Sequence, residues 1–497
     1  MNLGYCKNNF DSVTAKCRFI FFFLTVYYAH CVVFHENSMN YRVRVASVYL
    51  LGFFIDLVNM FIANVAYPDI GRQLNAPVSQ LAWVSNGYIL GLTLVIPLSS
   101  WLAKRMGSKR LFILSLIIFI IGTCCAAGAS QIEQLIAWRM VQGLGGGLLI
   151  PVGQTMTYAL YRSHERAKLS SVVMLVALMA PALSPAIGGV LVDNVSWRWV
   201  FLASLPLAFV ALVLAVCWLK SDVRTTSAER LDFSGLISGC LALTLILLGL
   251  TYMGESGRLS LGAALLGSGI ALMGWYVRAS LRKTQPLLNL RLIQEPMLQT
   301  AMLIYQLIPG IFTGVSLIAM LYLQDQLGMH ATLVGAMMFP WAIASFAAIS
   351  LTGKKFNKVG PRPLFIIGCL VQGIGIGLLP LIGSADDVFL AAVAYALMGF
   401  GGSLCSSTAQ SSAFIQIYDA ELADASALWN INRQLSFCLG VTLISLLLNV
   451  LLNMSGIQQT QAYHLCFALA AISAVIPVLL CLRIANSRVI LMLNQEK

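Results

Sequence analysis

Glu133 to Pro151 reads EQLIAWRMVQGLGGGLLIP, apolar enough to cross a bilayer as one helix, yet Arg139 stands inside it. A charge in hydrocarbon costs about 2.5–3.5 kcal/mol on insertion scales, so it normally faces a partner or a wet cavity. Gln142 follows three residues later on the same helical face, and Gly143, Gly145, Gly146 and Gly147 come next. Small residues let a neighbouring backbone approach closely, so this helix should pack tightly while presenting a polar stripe. Two readings of Arg139 stay open at this point: a structural bridge between helices, or a charge that lines a path.

The whole chain has the same solvent as this stretch. Of its 497 residues 59% are hydrophobic and only 10% charged, and its mean hydropathy is +0.83. A soluble domain carries about a quarter charged residues, so the composition describes an all-α polytopic membrane protein embedded in lipid. The net charge of +12 does not mark a nucleic-acid binder, because most basic residues fall in short gaps between apolar runs. That is the positive-inside pattern. The twelve cysteines lie singly or as Cys124-Cys125, mostly in apolar runs and without metal-ligand spacing. No metal or cofactor is called for.

From Val45 onward, apolar runs of about twenty residues alternate with short polar gaps. Spans are predicted near 45–67, 83–103, 111–129, 133–158, 169–192, 199–219, 234–253, 260–278, 297–323, 332–352, 363–383, 388–412, 427–452 and 462–482, about fourteen in all. One side collects Lys104, Arg105, Lys109 and Arg110, then Arg162, Arg166 and Lys168, then Lys220, Arg224 and Arg230. Arg278, Arg282, Lys283, Arg291, Lys354, Lys355, Lys358, Arg362, Arg483 and Arg488 continue it. The opposite side offers Arg72, Arg198 and Arg258, so the first group is expected in the cytoplasm. Asp419, Glu421 and Asp424 are an exception, acidic where parity is cytoplasmic.

Fourteen spans put both termini in the cytoplasm, in keeping with Arg42 and Arg44 before the first span. Residues 1–38 fit this poorly. Their apolar run from Phe19 to Phe34 reads as a signal peptide, an extra helix or translated upstream sequence, and it is discounted in favour of a start at Met39.

Two basic turns repeat. Ser100-Trp-Leu-Ala-Lys104-Arg105-Met-Gly107-Ser-Lys109-Arg110 follows the second span, and Gly353-Lys-Lys-Phe-Asn357-Lys358-Val-Gly360-Pro361-Arg362 follows the tenth. Small, polar, cationic and glycine positions recur at the same offsets. Repeats of this kind build transporters, with the substrate site between them. The expected organisation is a bundle over 39–220, two extra linker helices over 221–290, and a second bundle over 291–497.

At these residues the chain resembles the major facilitator superfamily, and within it the fourteen-helix drug:H+ antiporters. Both basic turns are similar to that superfamily's loop motif G-x-x-x-D-R-x-G-R-K. Arg139-Met-Val-Gln142-Gly143-Leu-Gly145 resembles its fourth-helix R-x-x-Q-G-x-G, which in the family is linked to proton coupling. Ser184-Pro185-Ala-Ile-Gly188-Gly189 resembles the antiporter motif G-P-x-x-G-G, and Asn64-Val-Ala-Tyr-Pro68 the end of the first-helix motif L-D-x-T-I-V-N-V-A-L-P. The resemblance implies two six-helix bundles plus two linker helices. The departures are as informative. Asn59 holds the family's first-helix Asp position, while Asp56 lies one turn earlier. Lys104 stands where the family has the Asp that helps close the cytoplasmic interface, and Asn357 in the second copy is nearer the pattern.

Asp56 and Arg139 are the deep charges of the first half and are expected to form a proton-dependent pair with Gln142 beside them, or else a permanent ion pair locking two helices. Asn59, Asn64, Arg433 and Gln434 are candidate cavity residues, with Arg433 equally able to snorkel to the surface near the start of its span. Lys104, Arg105, Gly107, Arg110, Ser184, Pro185, Gly188, Gly189, Asn357 and Gly360 are read as gating and packing positions. Trp83, Tyr88, Trp197, Trp199 and Trp341 read as an interfacial aromatic belt. A Walker loop is missing its first glycine, Ala348 standing in that place before Gly353-Lys354, and no H-E-x-x-H or G-x-S-x-G occurs. The expectation is therefore a non-enzymatic, monomeric, proton-coupled exporter of small amphipathic or toxic compounds in the inner membrane. A periplasmic adaptor is conceivable for a Gram-negative host, but no sequence feature demands one. A carrier of one dedicated metabolite and a non-transporting sensor or scaffold are the alternatives.

Overall fold

The computed structural model describes residues 40–76, 78–220, 232–253, 257–283, 286–452, 454, 457–482 and 484–495. Residues 1–38 and the stretch 221–231 lie outside them. Thirteen helices among the described residues are long and apolar enough to cross a membrane. A further 32-residue helix carries the span expected at 169–192. In chain order the helices are α1 (Tyr41–Ile62), α2 (Val78–Val95), α3 (Ser108–Ala127), α4 (Ile132–Tyr158), α5 (Ser163–Asn194), α6 (Trp197–Trp218) and α7 (Phe233–Met253). The second half follows with α8 (Leu259–Arg282), α9 (Pro296–Gln324), α10 (Leu333–Val359), α11 (Pro361–Leu381), α12 (Val388–Ser412), α13 (Leu422–Leu452) and α14 (Gln459–Cys481). A short helix, α15 (Asn486–Gln495), closes the described chain.

Glycine decides how closely the first bundle packs. A Cβ on Gly143 would stand 2.1 Å from the Tyr88 carbonyl of α2, and one on Gly145 2.5 Å from the Phe119 nitrogen of α3. The glycine run of α4 thus turns two sides at once to neighbouring backbones. In the second bundle Gly440 of α13 meets Gly310 of α9 so closely that a Cβ would fall 1.7 Å from the Gly310 oxygen. Gly310 ends a π-turn, Gln306–Gly310, that also holds Pro309. Gln372 of α11 donates to the Ile308 carbonyl there at 3.0 Å, and Gln306 donates to the Asn432 side chain of α13 at 2.9 Å. Such turns inside helices often sit at functional positions.

The two basic turns are one structure used twice. Gly107 closes the helix Ser99–Met106 at φ +85, and Gly360 closes α10 at φ +78. Each glycine N–H returns to a carbonyl four residues back, Ala103 at 2.9 Å and Phe356 at 2.8 Å. A side chain would be strained at that φ, so glycine is required at both places.

Several boundaries differ from the sequence reading. The second span is interrupted by a 3-10 turn at Ile96–Leu98, where Pro97 removes a backbone donor. α10 runs on through Lys354, Lys355 and Lys358, which occupy its last turns instead of a loop. Cations are favoured there by the helix C-terminus. α13 starts at Leu422, five residues before the expected 427, and Asp424 sits in its first turn where acid is favoured.

α7 and α8 form a hairpin. Its seam is again glycine, with Gly249 against Leu266 and Gly269 against Ile246. Lys283 pairs with Asp232 at 2.6 Å across its base. α7 touches both halves, through Thr442 of α13 donating to the Leu250 carbonyl and Cys240 reaching the Leu94 carbonyl of α2.

Replacing Gly440 by alanine is expected to cost about 1–3 kcal/mol through overpacking. Gly189→Ala is the control, because a Cβ there meets nothing within 4 Å. Thermal unfolding of detergent-purified protein should show a lowered midpoint for the first and an unchanged or slightly raised one for the second.

Candidate functional site: a buried polar network and a charge-reversed gate

Arg139 is fully buried, and neutral acceptors hold it. Its Nε donates to the Val84 carbonyl of α2 at 3.1 Å, one terminal nitrogen to Gln142 Oε1 at 2.7 Å, and the other to the Asn59 carbonyl of α1 at 3.1 Å. The guanidinium also lies 4.4 Å from the ring centroid of Tyr88 and 5.4 Å from that of Phe201. Stacking of this kind is worth more once the charge is desolvated. Gln142 passes the network on, donating to Asn59 Oδ1 at 2.9 Å and to the Thr123 hydroxyl of α3 at 2.6 Å. Asn59 in turn donates to the Ile55 carbonyl at 3.2 Å. Asn59 is thus a neutral hinge of the network in the place where the family carries a carboxylate.

Asp56 joins this network indirectly. One carboxylate oxygen accepts from the Tyr88 hydroxyl, and the other, Oδ2, is buried with no hydrogen-bond partner. Tyr88 stands between the two charges, its ring under Arg139 and its hydroxyl on Asp56. The direct ion pair expected from the sequence is replaced by this relay. Gly146 leaves the room for it: a Cβ there would lie 2.3 Å from Asp56 Oδ1 and 2.6 Å from the Tyr88 hydroxyl.

Tyr88 is therefore no belt residue. It is 0% exposed, and so is Trp197, whose indole donates to Gln73 at 2.9 Å. Trp341 stacks on Phe312 of α9, and Trp83 meets Tyr252 of α7 edge-on. Of the two readings of Arg433, cavity lining and snorkelling, the position of the residue removes the second. Arg433 sits three turns into α13, with its guanidinium 5.3 Å from the Phe53 ring centroid of α1. That depth is about 17 Å of helix, too far for a side chain to snorkel out. Gln434 beside it is buried. Asn64 falls in the 3-10 turn Ala63–Ala66; its side chain and that of Pro185 lie outside the described residues. Ser184 is buried with its hydroxyl on the Ala180 carbonyl at 2.5 Å, and Gly188 is buried too, whereas Gly189 faces open space.

The two halves are sewn together at the end that carries the basic turns. Lys104 reaches Asp424 of α13 at 3.7 Å, and Asn357, at the same offset in the second turn, donates to the His164 carbonyl of α5 at 2.6 Å. Each turn thus touches the first turn of a helix in the opposite half. Arg166, 4% exposed, donates to the Phe414 carbonyl at 3.0 Å and to Asp419 at 2.8 Å, while its Nε binds the Tyr158 and Tyr161 carbonyls. One guanidinium so caps the ends of α4 and α12, where the macrodipoles favour a cation. Deeper in, Asn430 donates to Gln154 at 3.0 Å, and Gln410 binds both Tyr158 and Trp429. A cavity of about 840 Å³ opens beside this gate, bordered by Arg42, Arg162, Arg166 and Asp419.

The acidic exception in the sequence is now explained. Asp419 and Asp424 answer Arg166 and Lys104 across the two halves. Arg105 stacks on Trp101 at 5.2 Å and Lys109 donates to the Val216 carbonyl at 2.8 Å, both within the first half. Arg110 is exposed at the start of α3.

Two bundles with a shared polar interior, closed at one end by reciprocal turns, make a secondary carrier. The chain belongs to the Major Facilitator Superfamily, whose family model matches residues 49–441. It is 30% identical to the multidrug resistance protein B homolog of Mycobacterium tuberculosis over 84% of this chain and 78% of that protein. It is 29% identical to the putative multidrug resistance protein MdtD of Yersinia enterocolitica, over 84% and 88%. The lincomycin resistance protein LmrB of Bacillus subtilis is 27% identical, over 82% and 85%. Among solved structures, the human organic anion transporter MFSD10 superposes with a TM-score of 0.65 at 15% identity, covering 89% of this chain and all of that one. The proton:xylose symporter XylE gives 0.58 at 14%, over 88% and 94%. At such identities these two speak for the fold alone.

Lys104→Asp is expected to open the gate by placing like charges together, with the exchanged double variant Lys104→Asp, Asp424→Lys restoring closure. A partly exposed pair is worth about 1 kcal/mol, so the shift should be about fivefold in population. Cross-linking across the two halves at the basic end checks it. Equal closure in the single and double variants would remove the pair from the gate.

Proposed function

We propose that this carrier exports small amphipathic compounds of the drug class in exchange for protons, by alternating access across the cytoplasmic membrane. The basic end is taken as cytoplasmic by the positive-inside rule, so the arrangement described is closed inward. Residues 39–220 and 291–497 act as the two rocking bundles, and 221–290 as the hairpin between them, in a chain that works as a monomer. The compound class follows the names of the multidrug and lincomycin resistance relatives.

The observation that carries the coupling is Asp56. Its free Oδ2, buried beside a saturated cation network, is a place for one proton or one cationic group. Protonation there removes a charge from the interior, and an access state that holds Asp56 beside the second half responds to that differently from one that does not. Arg139, Gln142 and Asn59 keep Asp56 and Tyr88 in register; Arg139 supplies fixed positive potential without titrating in the cycle. The carboxylate also favours cations among the compounds it admits, by plain Coulomb attraction.

In an efflux-deficient host, dye accumulation should fall on expression and recover with an uncoupler. Asp56→Asn should lose the gradient-driven part completely, while exchange of dye down its own gradient continues. Full gradient-driven export by Asp56→Asn, at wild-type expression, rules this coupling out. Arg139→Ala should fail differently, through loss of folded protein, because Tyr88, Gln142 and Asn59 lose their common partner.

A further inference from the structure

Among the described residues, Arg433 is the cation of the second half that lies against α1, over Phe53. The charged and titratable groups that face Asp56 are Tyr88 on α2, Arg433 on α13 and Arg139 on α4. Phe53, over which Arg433 lies, precedes Asp56 by three residues and shares its helical face. Phe53 and Asp56 are about 5 Å apart along the α1 axis, so the guanidinium lies beside the turn that precedes the carboxylate. Both partners hold something in reserve. Asp56 Oδ2 and Arg433 Nε are each buried without a hydrogen-bond partner.

Arg139 offers no such reserve. Each of its three nitrogens is engaged with a neutral acceptor, and both ring contacts fix its plane. A cation so held cannot follow a change at Asp56. Arg433, stacked on one ring and with Nε free, can.

We propose that Arg433 is the positioning residue that reads the protonation state of Asp56 across the two halves. This rests on the reading of Asp56 as the proton-coupling carboxylate. When Asp56 gives up its proton, the charge draws the guanidinium from Phe53 onto Oδ2 and ties α1 to α13. When a proton binds Oδ2, the pair is lost and Arg433 returns to the ring. Because Arg433 lies over the preceding turn of α1 in the inward-closed arrangement, ionisation favours that arrangement and protonation weakens it. The sign is the one an antiporter needs: a proton taken up from outside loosens the inner gate and is delivered inside.

The test reads the access equilibrium directly. Spin labels at exposed positions 168 on α5 and 355 on α10, with exposed Cys124 and Cys217 replaced by serine, report the opening of the basic end in lipid nanodiscs. Between about pH 8 and about pH 5 the open population of the otherwise wild-type protein should rise about tenfold. Arg433→Gln, and Arg433→Met as a second neutral form that keeps the alkyl stem, should reduce that response to less than about twofold. Arg433→Lys keeps the charge and should keep most of it. A structural role would lower thermal stability in all three and leave the pH response in place.

If both neutral variants respond like wild type while Asp56→Asn is insensitive to pH, Asp56 works without Arg433 and the inference falls alone. If Asp56→Asn still responds, the proton site lies elsewhere and the broader reading falls with it.

Discussion

A guanidinium placed in the apolar interior has to be met by acceptors on every side, and the first bundle is built around meeting Arg139. The acceptors come from three helices: the Val84 carbonyl of α2, the Asn59 carbonyl of α1, and Gln142 of α4 itself. They can come this close because Gly143, Gly145, Gly146 and Gly147 leave α4 bare on the sides where α1, α2 and α3 arrive. The charge and the glycines are thus one device. Removing a methyl-sized space anywhere in the run would leave a buried charge with fewer partners, which costs more than the packing alone.

What surrounds Asp56 follows from the same constraint. With Asn59 neutral, Arg139 has no carboxylate to neutralise it and takes its stabilisation from dipoles and π faces. Asp56, one turn away, is then left outside that cage, attached through Tyr88 alone.

The spans, the two basic turns and the polar stripe of α4 were legible in the sequence because they are local: hydropathy over about twenty residues, glycine where φ is positive, a charge where none belongs. The rest depends on which faces of distant helices meet. Tyr88 read as an interfacial residue because only the rotation of α2 about its axis turns it inward. Arg433 could be read as lining a cavity or snorkelling to a surface because α13 begins earlier than its hydropathy indicates, its first turn being acidic. The acidic stretch at 419–424 looked like an exception until Lys104 and Arg166, more than 250 residues earlier in the chain, supplied its partners. No periodicity carries such pairings. The sign change at Lys104 was a usable hint, since a reversed cation in a known gate calls for a reversed acid opposite.

α13 links the two regions mechanically. Asp424 at its first turn belongs to the gate and Arg433 to the centre, nine residues apart on one uninterrupted helix, or about 14 Å. Between them Asn430 holds Gln154 of α4 across the divide. A helix transmits a displacement at one end to the other with little loss, because its hydrogen-bonded ladder and close packing resist local deformation. Whatever moves Arg433 therefore acts on Asp424 through the same rod, and the reversed gate and the displaced carboxylate become parts of one arrangement. One helix thus carries both the acid that meets Lys104 and the cation that lies over Phe53, one turn from Asp56.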